Sequence, residues 1–215
     1  TGLTLALTQL LSMHAPVAAQ GAYPNKSVKL IVPFPPGGGN DVIGRVIAQK
    51  LSDRWGQTVV VDNRAGANGI VGLQALTQSA PDGYTLAVGA AGPLAVNPSL
   101  YARLPYDPIK DFAPITNLVN FPLLLVTHPS VPVKNVRELV ALAKAKPDQL
   151  SYASPGSGNS GHLAGELFNS MAGVQTVHVP YKGQGPALTD LLSGQVSMLY
   201  SSIPSVIQQV KSGQL

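Results

Sequence analysis

Two polar, glycine-rich segments hold the residues of this 215-residue chain whose types and spacing could do chemistry. The first runs from Pro35 to Asp41 and reads Pro-Pro-Gly-Gly-Gly-Asn-Asp. It follows a β-rich run and precedes apolar residues at helical spacing, so its N–H groups would lie at a helix N-terminus. Free N–H groups and the helix dipole favour an anion there. A tight turn that merely needs glycine explains the segment equally well.

The second segment, Ser154–Gly161, has the corresponding position in the second half of the chain. Its hydroxyl and amide groups could surround a polar ligand, although a solvated loop has the same composition. Ser160 and His162 raise the alternative of a secreted α/β hydrolase or transferase. The nucleophile elbow of such enzymes needs glycine two residues after the serine, whereas Gly161 follows Ser160 directly. We therefore predict that His162 packs against or caps a helix.

Charge is scarce in both segments and in Gly89–Pro93, which together contain one charged residue, Asp41. An anionic ligand would be held by N–H groups, hydroxyls, dipoles and water rather than by an arginine clamp. Lys182 is the nearest plausible cation, but a solvated loop lysine is the plainer interpretation.

Composition excludes several classes of protein. Only 11% of the residues are charged and 45% are apolar, which excludes a disordered chain. The net charge of +4 comes from scattered basic residues, so no nucleic-acid partner is expected. The chain has no cysteine, and its four histidines lack metal-ligand spacing, so no metal is expected. Neither a P-loop nor a dinucleotide fingerprint fits the first segment, and no cofactor is expected.

The N-terminus is typical of a processing signal. Residues 1–25 carry no charge, Leu3–Leu7 is apolar, and small residues precede Gln20. We predict a signal-peptide remnant over residues 1–20 and export to the periplasm, with an ordinary amphipathic helix as the alternative.

The elements that would position the two segments form two α/β units. Over residues 23–118 a β-α-β-α-β order with apolar strands predicts a parallel sheet covered on both faces. Asn40 or Asp41 would cap its first helix and Gly56 would end it, whereas residues 92–111 are expected to be irregular. A second unit over 119–203 begins a helix at Val136, capped by Asn135. Residues 115–118 are β-like, and residues 204–215 would start a crossing back to the first domain.

Seven stretches resemble the periplasmic solute-binding proteins of tripartite tricarboxylate transporters, the Bug family. They cover nearly all of the chain after residue 23, in order: Val32–Asp41, Asp62–Gly69, Ala80–Leu86, Asn97–Tyr101, Leu104–Phe112, Gly161–Phe168 and Val179–Gly183. Each stretch is weak by itself, but the series is specific.

The resemblance implies a type II periplasmic-binding-protein fold, in which two α/β domains enclose a ligand cleft like a Venus flytrap and further chain completes the first domain. It implies a non-enzymatic protein that binds a small carboxylate and has membrane transporter subunits as partner. We expect a monomer with hinges near Asn117–Pro122 and Ser202–Pro204. The expected ligand contacts are Phe34, Gly38, Gly39, Asn40, Asp41, Ala90, Ala91, Ser154, Asn159, Ser160, Gly161, Tyr181 and Ser201.

Two departures from the family pattern bear on specificity. Asn40 stands where the family often has a small hydroxyl residue, and Ser197 and Ser201 stand where it often has acids. An acid at position 201 could pair with the amine of a ligand. We therefore hypothesise that this protein binds simple mono- or dicarboxylates better than amino acids.

Overall fold

The computed structural model describes residues 23–120 and 122–215. The expected signal segment lies outside these residues. Within them, none of the helices is both long enough and apolar enough to cross a membrane.

The first lobe is a three-stranded parallel sheet with helices packed on it. Its strands are β1 (Val28–Val32), β2 (Val59–Asn63) and β3 (Thr85–Ala87), in the order β2-β1-β3. Helices α1 (Gly39–Trp55) and α2 (Ile70–Thr77) cover the sheet, and the 3₁₀ turn Ala67–Gly69 leads into α2. The central strand β1 is buried at four of its five positions, because a parallel strand with helices on both faces has no solvent side. The predicted parallel sheet is confirmed.

The second lobe is a four-stranded mixed sheet. Its strands are β4 (Leu123–Thr127), β5 (Ser151–Ser154), β6 (Val177–Pro180) and β7 (Met198–Ser202), in the order β4-β7-β5-β6 with β4 antiparallel to β7. The helices are α4 (Val136–Ala145), α5 (Ser160–Ala172), α6 (Gln184–Leu192) and α7 (Ile203–Lys211). Side chains of β7 alternate between two cores: Met198 packs with Leu139 of α4, and Leu199 packs with Val206 of α7.

Two of the three helix ends that the sequence predicted are confirmed. Asn135 caps α4 by accepting a hydrogen bond from the Glu138 N–H, and Gly56 ends α1 at φ 65°. The expected cap of α1 was wrong, because the N-cap is Gly38 and has no side chain to contribute. Asp41 lies in the first turn, where its carboxylate accepts from the Gly37 N–H instead.

One further expectation was wrong in part and another was wrong. The segment after β3 is helical from Gly92 to Leu100, as a π-helical turn (Gly92–Val96) and the short helix α3 (Asn97–Leu100), and Asn97 is fully buried, whereas residues 101–111 are irregular as expected. The β-like residues 115–118 form no strand. Ile115 is 78% exposed, and no strand in the described ranges pairs with this segment. Because β propensity depends on packing against a neighbouring strand, these residues do not form one.

Candidate ligand-binding cleft

Four helices begin at one cavity of about 60 Å³ between the lobes. The first lobe contributes the N-cap and first residues of α1, and the second contributes the starts of α5, α6 and α7. Its full lining is Phe34, Pro35, Gly38, Gly39, Asn40, Leu123, Pro155, Asn159, Ser160, Gln184, Tyr200 and Ser202.

Helix N-termini, and no charged side chains, line this cavity. The N-terminal ends of α1, α6 and α7 have no side-chain cap, and only α5 is capped, by Asn159 accepting from the Gly161 N–H at 3.0 Å. The first N–H groups of a helix have no partner within the helix, and they carry the positive end of its dipole. None of the lining residues is Asp, Glu, Lys, Arg or His. The arrangement therefore suits an anion held by neutral donors.

Asp41 anchors the first segment from behind the cavity. The residue is 3% exposed, and its carboxylate accepts from Gly37 N at 2.9 Å, Asn63 Nδ2 at 2.9 Å and Arg45 Nε at 3.0 Å. Burial alone would raise the pKa of Asp41, but these three donors together lower it. Asn63 also donates to the Phe34 carbonyl at 3.0 Å. The network fixes both ends of the segment that lines the cavity.

Two stacked imidazoles anchor the second segment. The His162 and His178 ring centroids are 4.1 Å apart. The Gly158 N–H donates to His162 Nδ1 at 3.1 Å, and the fully buried Ser154 hydroxyl lies 2.6 Å from His178 Nε2. Burial, and then the neighbouring His162, lower the pKa of His178 to about 4, so its imidazole is neutral at pH 7. The prediction that His162 packs is confirmed.

The alternative interpretation, a hydrolase site, would need Ser160 and His162 to form a hydrogen-bonded nucleophile–base pair. The Ser160 hydroxyl contacts Asn159 Oδ1 at 3.4 Å, whereas His162 Nδ1 is engaged by the Gly158 N–H. No hydrogen bond joins Ser160 to His162 among the described residues. The spacing argument against a nucleophile elbow and the geometry therefore agree.

Gln184 and Tyr200 also line the cleft near β7, and Ser201 lies behind Gln184. Gln184 Nε2 donates to Ser201 Oγ at 2.8 Å, and Ser201 is 1% exposed beneath the cavity wall. Tyr200 is 8% exposed, and its buried hydroxyl has no hydrogen-bond partner in the described part of the chain. Burial raises the pKa of Tyr200 far above its ordinary value.

The structure brings six of the expected contacts to the cavity wall: Phe34, Gly38, Gly39, Asn40, Asn159 and Ser160. The other seven lie outside the lining: Asp41, Ala90, Ala91, Ser154, Gly161, Tyr181 and Ser201. Tyr181 donates to Asp190 at 2.7 Å, and Gly161 lies against the Tyr200 carbonyl. Lys182 is exposed and also lies outside the lining.

Sequence reasoning missed Gln184, Tyr200, Ser202 and Leu123. Pro35 and Pro155 lie in the two predicted segments but were not among the expected contacts. Gln184 follows Gly183 at the start of a helix, and Ser202 ends a strand. Ligands of α/β proteins bind where strands end and helices begin, so these two residues could have been predicted from the expected ends of the strands and helices.

The lobes touch at two places through glycines with left-handed backbone. A Cβ on Gly183 (φ 128°) would lie 2.5 Å from Pro35 Cγ, and one on Gly158 (φ 79°) would lie 2.6 Å from Leu100 Cδ2. Gly158 also lies against Asn68, which hydrogen-bonds Asn97. These contacts join the two lobes closely around the cleft.

Two α/β lobes with a cleft lined by helix N-termini are the architecture of the periplasmic-binding-protein fold. The profile of the "Tripartite tricarboxylate transporter family receptor" family matches residues 43–215. The chain belongs to this family, as its sequence motifs predicted.

Relatives and solved structures agree with this assignment. Protein BugT of Bordetella pertussis is 43% identical over 94% of this chain and 62% of its own length. A structure of Rpa4515 of R. palustris with adipate has a TM-score of 0.87 at 38% identity, over 89% of this chain and 64% of that one. MatC of Rhodopseudomonas palustris with bound malate has a TM-score of 0.82 at 32% identity, over 89% and 65%. The chain thus spans less than two thirds of each of these proteins.

Proposed function

We propose that the protein is an extracytoplasmic solute-binding protein. It captures a small carboxylate in the interdomain cleft and delivers it to a tripartite tricarboxylate-type membrane transporter. The observation that carries the proposal is the meeting of four helix N-termini around one cavity without a charged side chain.

The energetics of this site are sufficient for capture. Hydrogen bonds to a charged group contribute roughly 1.5–3 kcal/mol each. Micromolar affinity needs about 8 kcal/mol after the ordering costs are met, so a few N–H and hydroxyl donors are enough. The adipate and malate bound by the two related structures support a carboxylate as the ligand class.

Binding would close the cleft by bending the two crossings between the lobes, at Asn117–Pro122 and Ser202–Pro204. We further propose that the protein acts as a monomer in the periplasm, without catalysis or cofactor. Residues 23–118 and 119–203 would be its two domains, and α7, which packs on β7 through Val206 and also contacts α1, would begin the return of the chain after 204 towards the first. With Ser201 in place of an acid, simple carboxylates would bind better than amino acids.

A thermal-shift screen tests the proposal with pairs of ligands that differ only in charge, such as propionate and propionamide or succinate and succinamide. A ligand that binds only the folded state raises the melting temperature by mass action. We expect carboxylates to raise it and the matched amides to leave it unchanged. Equal shifts for acid and amide, or no shift with any carboxylate, would reject an anion site. Tighter binding of aspartate than of succinate would reject the stated preference.

A further inference from the structure

His162 holds the second segment through a ring nitrogen that must be unprotonated. The Gly158 N–H donates to Nδ1 at 3.1 Å, so this nitrogen presents its lone pair and the proton of the neutral ring lies on Nε2. The His162 side chain is 21% exposed, so solvent protons can reach it. A proton on Nδ1 would turn the acceptor into a second donor that faces the Gly158 N–H. Protonation of this ring therefore breaks the hydrogen bond and replaces it with a repulsion.

The groups around the two stacked rings direct the first proton to His162. Glu166 Oε1, on the same helix, lies 3.9 Å from His162 Nε2, so an imidazolium there would have a counter-ion. His178 of β6 is stacked on both His162 and the buried Tyr152 of β5, and burial lowers its pKa to about 4. Tyr152 and, beyond it, Tyr200 of β7 stay protonated, because burial raises the pKa of both hydroxyls.

Gly158 connects the His162 ring to the contact between the lobes. A Cβ on Gly158 would lie 2.6 Å from Leu100 Cδ2 and 3.0 Å from Asn68 Nδ2, so its backbone is packed directly against the first lobe. Neither of these neighbours is charged. The two residues that follow Gly158, Asn159 and Ser160, line the cavity. A displacement of Gly158 would therefore disturb the contact between the lobes and the wall of the cavity together.

We infer that His162 is a proton-sensitive latch on the cleft. The neutral ring holds Gly158 against the first lobe, whereas the protonated ring releases it, so that the lobes separate more readily and the ligand dissociates. This inference rests on the proposed carboxylate-binding function. By thermodynamic linkage, a ligand that draws the lobes together favours the neutral ring, so binding in mild acid releases protons to the buffer.

A second effect of the same proton has the opposite sign. A positive charge close to the cavity would strengthen the binding of an anion. His162 lies outside the cavity lining, however, and the ion pair that its protonated ring forms with the Glu166 carboxylate carries no net charge. The loss of the Gly158 hydrogen bond therefore decides the direction, and acid weakens binding.

Calorimetry at pH 7.5 and pH 5 tests the latch, with succinate, adipate and malate as probes. We expect the unmodified protein to bind about tenfold more weakly at pH 5, because one hydrogen bond is lost and two donors are left facing each other. His162→Asn is the decisive variant, since its amide oxygen can replace Nδ1 as the acceptor but does not titrate. It should bind the probes at pH 7.5 and lose most of the fall. Protonation of the probe itself is the same for both proteins and cancels in the comparison.

Two further measurements assign the effect to this ring. His128→Gln is the matched control, because His128 is a partly exposed histidine that lies outside the stack, and the variant should keep the full fall in affinity. Nuclear magnetic resonance supplies a measurement that needs no ligand. As pH falls, the amide resonance of Gly158 should shift with the same midpoint as the His162 ring. The shift should disappear in His162→Asn.

The outcomes separate this inference from the function on which it rests. If the probes bind but affinity rises in acid, or falls equally in His162→Asn, the latch is refuted and the carboxylate site stands. A Gly158 resonance that does not follow the titration of His162 also refutes the latch, and it decides alone if His162→Asn does not fold. If no probe binds the unmodified protein at pH 7.5, the proposed function and the latch are both refuted.

Discussion

The two segments that line the cleft do the same task with different chemistry. The first, Pro35–Asp41, is held by a buried carboxylate with a guanidinium, an amide and a backbone N–H around it. The second, Ser154–Gly161, is held by two stacked imidazoles and a buried hydroxyl, and burial keeps the His178 imidazole neutral at pH 7. In both segments these contacts hold a helix N-terminus at the cavity, and no charged side chain enters the cavity lining. The ionic anchor should therefore be sensitive to the loss of one partner, and the neutral anchor to acid.

The largest effect is expected from removing the ionic anchor. Asp41→Ala leaves the Gly37 N–H and Asn63 without their acceptor and frees the Arg45 guanidinium. We expect it to lower the free energy of unfolding by about 3 kcal/mol, as charged hydrogen bonds of a buried carboxylate are lost. Urea denaturation measures this change.

The matched control is Asp62→Ala, since Asp62 pairs with Arg64 at 2.8 Å but both side chains are partly exposed. Exposed pairs contribute about 0–1 kcal/mol. Equal losses for the two variants would show that the Asp41 network is not an anchor.

A smaller effect, on binding rather than folding, is expected at the contact between the lobes. Gly158→Ala adds a Cβ that would meet Leu100 and Asn68. We expect carboxylate affinity to fall about tenfold, or about 1.4 kcal/mol, because the lobes could no longer approach as closely. Calorimetry measures the loss, and the double variant with Leu100→Ala should recover part of it.

Gly173→Ala controls for backbone strain in this experiment. Gly173 also has left-handed backbone, at φ 60° on the same lobe, but a Cβ there would meet nothing within 4 Å. It should lower stability without changing affinity. If both alanine variants weakened binding equally, the contact between the lobes would play no part in it.

The smallest effect is the pH dependence of the neutral anchor. Burial lowers the pKa of His178 to about 4 in the folded protein, whereas an unfolded histidine has its ordinary value of 6.5. Between these values the unfolded chain binds more protons, so the stabilisation present above pH 6.5 is lost progressively as pH falls towards 4. The lowered pKa of Asp41 keeps its contribution intact throughout this window.

Melting temperatures at pH 7.5 and pH 5 measure this difference. We expect a fall of the order of a few degrees in the unmodified protein and a smaller fall in His178→Phe, which keeps a ring in the stack. His128→Gln replaces a partly exposed histidine just after β4, outside the stack, and should keep the full fall. A fall unchanged in His178→Phe would mean that other groups cause the pH dependence.

Much of the fold could be predicted from local patterns. Apolar strands, helical spacing and turn glycines indicated nearly every helix and strand, and Asn135 and Gly56 marked helix ends correctly. The errors came where tertiary contacts decide. The Asp41 side chain could cap a helix, but its carboxylate accepts hydrogen bonds from Arg45 and Asn63 instead. Residues 92–100 contain prolines typical of a loop, yet they fold as helix around the buried Asn97.

The site was predicted only in part, because local sequence marks some of its residues and tertiary contacts alone bring the others to the cavity. Gly38, Gly39, Asn40 and Ser160 lie in segments whose composition indicated a binding site, and they line the cavity. Tyr200 lies inside an ordinary strand, so nothing in its local sequence marks it, whereas Gln184 is marked only by its place at a helix start. Both reach the cavity because α6 begins there and β7 ends there.

By itself the sequence determined the two α/β units, the family, and a cleft poor in charge, because these follow from composition, periodicity and motifs that are local in the chain. Only the tertiary structure decided which helix ends meet, which polar atoms remain unpaired, and where two glycines let the lobes touch. Those properties depend on distances between residues far apart in sequence, such as Gln184 to Gly38 and Gly158 to Leu100. No spacing along the chain encodes such distances before the sheets and helices pack.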